Sequence, residues 1–145
     1  SLYVMRPQFP TYLDSNHIQY RDSSGLLKSI DHAFWAESLT DGVARAFAQY
    51  SAQTEGAPGN VTHYPWPEPI EDCQRLVLRF HRFDATATGE VYVEASWILR
   101  AASDERKSGR FKSVDLAWDS NDPASLVAAY NEALRLLARS VQESL

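Results

Sequence analysis

The chain has 145 residues, 44% of them hydrophobic and 23% charged, the composition of one globular domain rather than of a disordered, fibrous or membrane-spanning protein. Fourteen Lys and Arg stand against nineteen Asp and Glu for a net charge of -5, and no short window collects the basic residues that phosphate backbones require, so nucleic acid is not an expected partner. The single cysteine, Cys73, excludes an intramolecular disulfide and any paired-cysteine zinc site. A domain of this size buries roughly 68–70% of its unfolded surface and folds without such staples. No apolar run approaches the roughly 20 residues of a membrane helix. The chain opens on Ser1-Leu2-Tyr3-Val4 without a methionine, as expected of a mature or trimmed chain.

In chain order, Leu2 to Met5 reads as a short strand closed by Pro7 and Pro10, which remove backbone donors. Thr11 to Asp14 allows one helical turn. Ile18 and Tyr20 alternate with polar neighbours, and Asp22-Ser23-Ser24-Gly25 then turns the chain back through Leu26 to Ile30, a hairpin. From Phe34 to Gln53 the period changes, with Trp35, Leu39, Val43, Phe47 and Tyr50 forming one stripe, so a first amphipathic helix is predicted over that whole range. The breakers Glu55-Gly56-Ala57-Pro58-Gly59 end it.

Val61 to Tyr64 is a brief strand, after which Pro65, Pro67 and Pro69 hold the chain extended around Trp66. Leu76, Leu78 and Phe80 share one strand face, and Val91, Val93, Ala95, Trp97 and Leu99 share the next, joined by a turn at Ala85 to Gly89. Asp104-Glu105-Arg106-Lys107 reads as a solvated hairpin tip, and Phe111 to Trp118 as the third strand. Asn121 or Asp122 caps a last helix with Pro123 at its start and Leu126, Tyr130, Leu134, Leu137, Val141 and Leu145 on one side. Two amphipathic helices and about six strands without βαβ alternation predict a single α+β domain over residues 1–145. Its architecture is a two-layer sandwich of a mainly antiparallel or mixed sheet with both helices on one face.

Local signatures of catalysis are missing: there is no G-x-S-x-G, H-E-x-x-H, P-loop or G-x-G-x-x-G segment. His17, His32, His63 and His81 are scattered, which predicts no metal, and no cofactor is expected. Cys73 with Asp72 and His63 is a thiol-nucleophile arrangement on paper, but a free cysteine is more often a small buried hydrophobe. Asp14 and Asp31 beside His32 read more simply as caps and turn formers. Glu90 and Glu94 fall opposite Val91 and Val93 on a solvent-facing side. Trp35 and Trp97 lie on apolar stripes and are expected to pack. Trp66 stands between prolines in a rigid segment and is open to two readings, partner contact or core cap.

Several stretches together resemble the PqiC-like family, the ABC-type transport auxiliary lipoproteins also typified by YmbA. Pro10-Thr11-Tyr12-Leu13-Asp14 with Ile18 resembles an early P-x-Y-L-D...I segment, Phe34 to Leu39 resembles an R-W-A-E-P-L helix start, and Tyr64-Pro65-Trp66 matches Y-P-W. Arg79 to Asp84 and Gly89 to Leu99, with Glu94 and Trp97, fall where the family has its central R-F-D hairpin. Ser15-Asn16-His17 departs from the usual R-P-Q, and Ser38 stands where proline is common.

The resemblance implies a non-catalytic periplasmic lipoprotein, held to the inner leaflet of the outer membrane by an acylated cysteine upstream of Ser1. It would serve an MCE-type, periplasm-spanning lipid-transport partner; from the residues themselves, Tyr64, Pro65 and Trp66 in the rigid proline-flanked segment are the candidate contact. Homo-oligomeric rings suit that reading, since one small domain cannot enclose a lipid channel. The alternative is a stand-alone lipid or small-molecule binding module with Tyr64 and Trp66 lining a pocket.

Overall fold

The computed structural model describes residues 1–13, 17–35, 37–65, 67 and 72–145, and within these the side chains of all but Tyr12 and residues 31–34. Strands β1 (Leu2–Val4), β2 (His17–Arg21), β3 (Leu27–Phe34), β4 (Val61–His63), β5 (Gln74–Ala85), β6 (Glu90–Arg100), β7 (Arg106–Lys112) and β8 (Leu116–Ala117) combine with helices α1 (Leu39–Gln53) and α2 (Pro123–Glu143). The main sheet runs in the order β4-β1-β5-β6-β7, with β8 pairing the start of β6. The long β5–β6–β7 meander is antiparallel, and β1 lies parallel to both β4 and β5. The expected α+β sandwich is therefore present, with a mixed sheet.

β1 ends at Val4, ahead of Pro7 as expected, and beyond it the chain meets β5 again only in an isolated bridge between Gln8 and Arg79. The N–H groups of Met5 and Gln8 donate to the Leu76 and Leu78 carbonyls, each at 2.9 Å; an even parallel ladder would place the second bond on residue 7, whose donor Pro7 lacks, so the chain takes one residue more before Gln8 bonds β5 again.

The first helix starts later than the periodicity predicts. Residues 27–34 complete β3 against β2, and the helix begins where Ser38 Oγ accepts the Asp41 N–H at 3.3 Å, with Asp41 in the first turn. An apolar stripe extended by a strand of similar composition reads as one element in sequence. The predicted strand Phe111–Trp118 likewise breaks in two. Asp115 takes a positive φ of 57°, and Ser113 Oγ accepts the Val93 N–H at 2.9 Å, so the ladder is interrupted between β7 and β8. At the solvated tip only Asp104 and Glu105 belong to the turn, while Arg106 and Lys107 are already in β7.

α1 packs on the β1 and β4 side and α2 on β6, β7 and β8, with the two helices in mutual contact. Phe47, Leu76, Leu78, Val93, Trp97, Leu126 and Leu137 fill the layer between them. A Cβ on Gly109 would stand 2.7 Å from the Trp97 ring, so the missing side chain on the edge strand is what admits the indole.

Aromatic rings run from sheet to helix. Phe9 stacks on Phe80 at 4.7 Å, Phe80 meets Phe83 edge-on at 5.4 Å, and Phe83 stacks on Tyr130 of α2 at 4.2 Å. Burial pushes the Tyr130 phenol far above the usual tyrosine range, with the Asp84 charge adding in the same direction. The folded state therefore favours the neutral phenol. That contribution is complete below about pH 10, where the unfolded tyrosine is also protonated, and decays as pH rises beyond it. Unfolding free energy is expected to fall by up to about 1.4 kcal/mol per pH unit above pH 10 from this group. Chemical denaturation of the wild type and Tyr130→Phe between pH 8 and 11 should show the slope difference.

The β2–β3 hairpin is joined to the main sheet by a polar clamp. Asp84, 5% exposed, accepts from Arg21 Nε and Arg82 Nε, each at 2.9 Å. The Arg82 guanidinium also covers the Tyr92 ring at 3.8 Å. Beside it, the Ala87 N–H donates to the Arg21 carbonyl at 2.8 Å, and Trp118 Nε1 donates to the Thr86 carbonyl at 2.8 Å.

Candidate functional site

Of the expected contact segment, Tyr64 and Pro65 are described and Trp66 lies outside the described residues. Tyr64 follows β4, and its N–H donates to the Val4 carbonyl at 2.9 Å. His63 Nδ1 donates to the Tyr64 carbonyl at 2.7 Å, and the Arg6 guanidinium lies 5.8 Å from the Tyr64 ring centre. The Tyr64–Pro65 peptide is cis. Tyr64 is half-buried and Pro65 exposed, so a segment anchored by β1 and β4 emerges at the sheet margin.

The imagined thiol site does not assemble. Cys73 is 2% exposed and its Sγ–H donates to the Gln74 carbonyl at 3.2 Å, while the His63 Nδ1 proton is directed to a main-chain carbonyl. The Asp14, Asp31 and His32 side chains lie outside the described residues. His81 sits at a bulge in β5 and its Nε2 hydrogen-bonds Ser96 Oγ on the open side of the sheet, with the imidazole exposed. Among the described residues no three His, Cys, Asp or Glu side chains gather as a metal set.

Three of the depressions among the described residues bear on function. One of about 630 Å³ between the helix ends is lined by polar groups including Glu55, Arg135, Arg139 and Gln142. A smaller groove of about 320 Å³ between α1 and α2 is lined by Trp35, Leu39, Val43, Tyr50, Tyr130 and Leu134. Trp35, which precedes the helix, packs on Tyr130 with ring centres 6.0 Å apart. A third, of about 400 Å³, is lined by His81, Glu94, Arg110 and Lys112.

The last of these belongs to a larger feature that residue-by-residue reading missed. On β5, β6 and β7 the residues alternating with core positions form the outer face, and the register aligns them in cross-strand rows. The first row is Arg75, Arg100 and Arg106, and the second Val77, Ile98 and Ser108. Arg79, Ser96 and Arg110 make the third, and Arg82, Glu94 and Lys112 the fourth. Seven of the fourteen Lys and Arg therefore share one face of an acidic chain.

Among the described residues its carboxylates lie toward the β5–β6 turn, and each is engaged. Glu94 faces Lys112 at 3.6 Å, Asp84 holds Arg21 and Arg82, and Glu90 accepts the Tyr92 hydroxyl, which the bond raises above its ordinary pKa. Among the described residues Arg79, Arg100, Arg106 and Arg110 enter no ion pair. Strand parity in the sequence signals which residues face outward, but not which strands become neighbours.

Comparison with known proteins agrees with this architecture. A solved structure described only as an uncharacterized protein superposes with a TM-score of 0.79 at 17% identity, covering 98% of this chain and 89% of that one. A protein from Xanthomonas campestris, assigned to the family DUF330, gives a TM-score of 0.75 at 23% identity, covering 97% of this chain and 80% of that one. At these identities the two speak for the fold alone, and no curated protein matches the chain. The family model described as ABC-type transport auxiliary lipoprotein component matches residues 1–142. That match takes in every strand and nearly all of the last helix, so the chain belongs to the ABC-type transport auxiliary lipoprotein family.

Proposed function

We propose that the domain is a non-catalytic periplasmic subunit of an intermembrane lipid-transport system, docking to a periplasm-spanning MCE-type protein. On this reading an acylated cysteine upstream of Ser1 holds it to the inner leaflet of the outer membrane. The observation that carries the reading is the family match over residues 1–142, since that family is defined as an auxiliary component of a transporter. The geometry agrees with docking. Among the described residues, side chains such as Phe47, Trp97 and Leu137 fill the layer between sheet and helices, as a close-packed core does. The decisive test is a pull-down from detergent-solubilised envelopes with the full-length, lipid-anchored protein, followed by mass spectrometry of proteins and lipids. Recovery of an MCE-type protein supports the reading, and recovery of lipid without a protein partner overturns it.

Tyr64, Pro65 and Trp66 remain the proposed contact segment, supported by the exposure of Pro65 and by the bonds that tie Tyr64 to β1 and β4. Trp66→Ala is expected to weaken partner recovery about tenfold, a loss typical of an aromatic anchor. Its melting temperature should stay within about 2 °C of wild type. A thermal-shift assay beside the pull-down checks both, and a fall of about 10 °C would make Trp66 a core cap instead.

A second reading, a lipid or small-molecule binding module, draws on the groove of mixed apolar and polar lining between α1 and α2 around Trp35 and Tyr130. At about 320 Å³ the groove is at the lower end of ligand pockets. Acyl chains co-purifying with the protein would favour it.

A further inference from the structure

We propose that the outer face of the β5–β6–β7 sheet is a docking surface for an acidic surface of a partner protein, one that presents carboxylates around an apolar side chain. The proposal rests on the reading of the domain as a docking subunit, but not on the partner being of the MCE type.

Three observations carry it. First, the face is opposite in sign to the molecule that bears it: the chain has a net charge of -5, yet among the described residues this face sets seven cations against three engaged carboxylates. Second, Arg100 and Arg106, neither of which enters an ion pair among the described residues, stand directly opposite one another on neighbouring strands. Like charges in that position destabilise a sheet, and such a local conflict is expected where a surface serves binding rather than folding. Third, Ile98, 43% exposed, sits beside Val77 and Ser108 in an uncharged row between two arginine-bearing rows. An apolar centre bordered by arginine is the anatomy of protein interfaces, where lysine is depleted and arginine enriched.

The cations are arginines except for Lys112, and the guanidinium fork pairs bidentately with carboxylate or phosphate oxygens. Between those two chemistries the surroundings favour carboxylates on a protein. Asp104 and Glu105 form the exposed tip adjoining the first row, and an anionic membrane laid on this face would meet them. A second copy joined through the same face would set arginine against arginine, because a two-fold contact is self-complementary.

The test places the photo-crosslinking residue benzoylphenylalanine at Ile98 in the full-length, anchored protein in its own envelope. The cross-linked peptides are then sequenced by mass spectrometry. The expected result is an adduct to a protein segment rich in Asp and Glu. Its yield should drop at least about tenfold in Arg79→Glu/Arg106→Glu/Arg110→Glu, since charge reversal at an interface weakens association strongly.

Folding of that variant is checked by its melting temperature. In addition, Arg100→Ser should raise the melting temperature by about 2 °C, through relief of the like-charge row, while lowering adduct yield. A purely structural residue would not separate the two readouts. Adducts to phospholipid, adducts to a second copy of this chain, a yield insensitive to charge reversal, or no adduct would each overturn the proposal. An acidic partner that is not of the MCE type would keep this surface and overturn the proposed function. An MCE-type partner captured only through another face would do the reverse.

Discussion

Phe47→Ala is expected to lower the unfolding free energy by about 4 kcal/mol, within the range for truncating a buried phenylalanine. Phe47 is 0% exposed in the middle of α1, between Val43 and Ser51 on the buried stripe. Two terms make the effect large. Removing the ring forfeits its transfer free energy from water, and the cavity left behind loses dispersion contacts that neighbours on a rigid sheet cannot restore. Against a total stability of about 5–15 kcal/mol for such domains, the variant should melt about 15 °C below wild type. Phe47→Leu, which keeps most of the volume, should lose roughly 1.5 kcal/mol. Thermal and urea unfolding of the pair measures both, and equal losses would mean that the site collapses around the smaller side chain.

Asp84→Ala is expected to destabilise by about 3 kcal/mol, the lower end for breaking a buried ion pair. The carboxylate side chain is 6% exposed, whereas Arg21 and Arg82 are 33% and 41% exposed, so the two cations left behind partly rehydrate. The effect also has a location. Asp84 holds Arg21 of the β2–β3 hairpin against the main sheet, so the amides of Asp22 and Ala87, bonded to the Leu26 and Arg21 carbonyls, and that of Leu26, bonded to the Asp22 carboxylate, should exchange with solvent first. Hydrogen exchange by mass spectrometry would show it. A double-mutant cycle with Arg21→Ala should give a coupling of about 1–2 kcal/mol, and additivity would mean that Asp84 acts mainly through Arg82.

The basic face and the Asp84 clamp have the same origin. In both, charges distant in sequence are brought together by register: Arg21 meets Asp84 across 63 positions, and Arg75 shares a row with Arg100 and Arg106. The difference lies in satisfaction. At Asp84 opposite charges meet and exclude water, which stabilises the fold. On the outer face like charges meet in solvent, which does not, and the surface is left to a partner.

Several features were legible in the amino-acid order because they depend on neighbours along the chain. The stripe Leu126, Tyr130, Leu134, Leu137 and Val141, with Asp122 and Pro123 before it, specifies α2 and its cap. The alternation from Val91 to Leu99 specifies the buried side of β6. The order of short motifs, including Tyr64-Pro65-Trp66, pointed to the family that the match over residues 1–142 shows. Less was legible at Phe34, where the stripe of α1 runs back into the apolar end of β3, and pairing of β3 with β2 decided the boundary.

Other features belong to the tertiary structure alone. That β1 lies between β4 and β5, parallel to both, follows from no local period, since a strand's alternation states which face is buried and not which strands become its neighbours. Arg106 to Lys112 reads as a run of mixed character, yet register turns Arg106, Arg110 and Lys112 outward beside arginines of β5 and β6 and leaves Lys107 on the other side. Hydrophobic periodicity acts between residues a few positions apart and so is written in the sequence. The sign of a surface is a sum over strands that only pairing brings within about a Debye length of one another, and folding alone decides it.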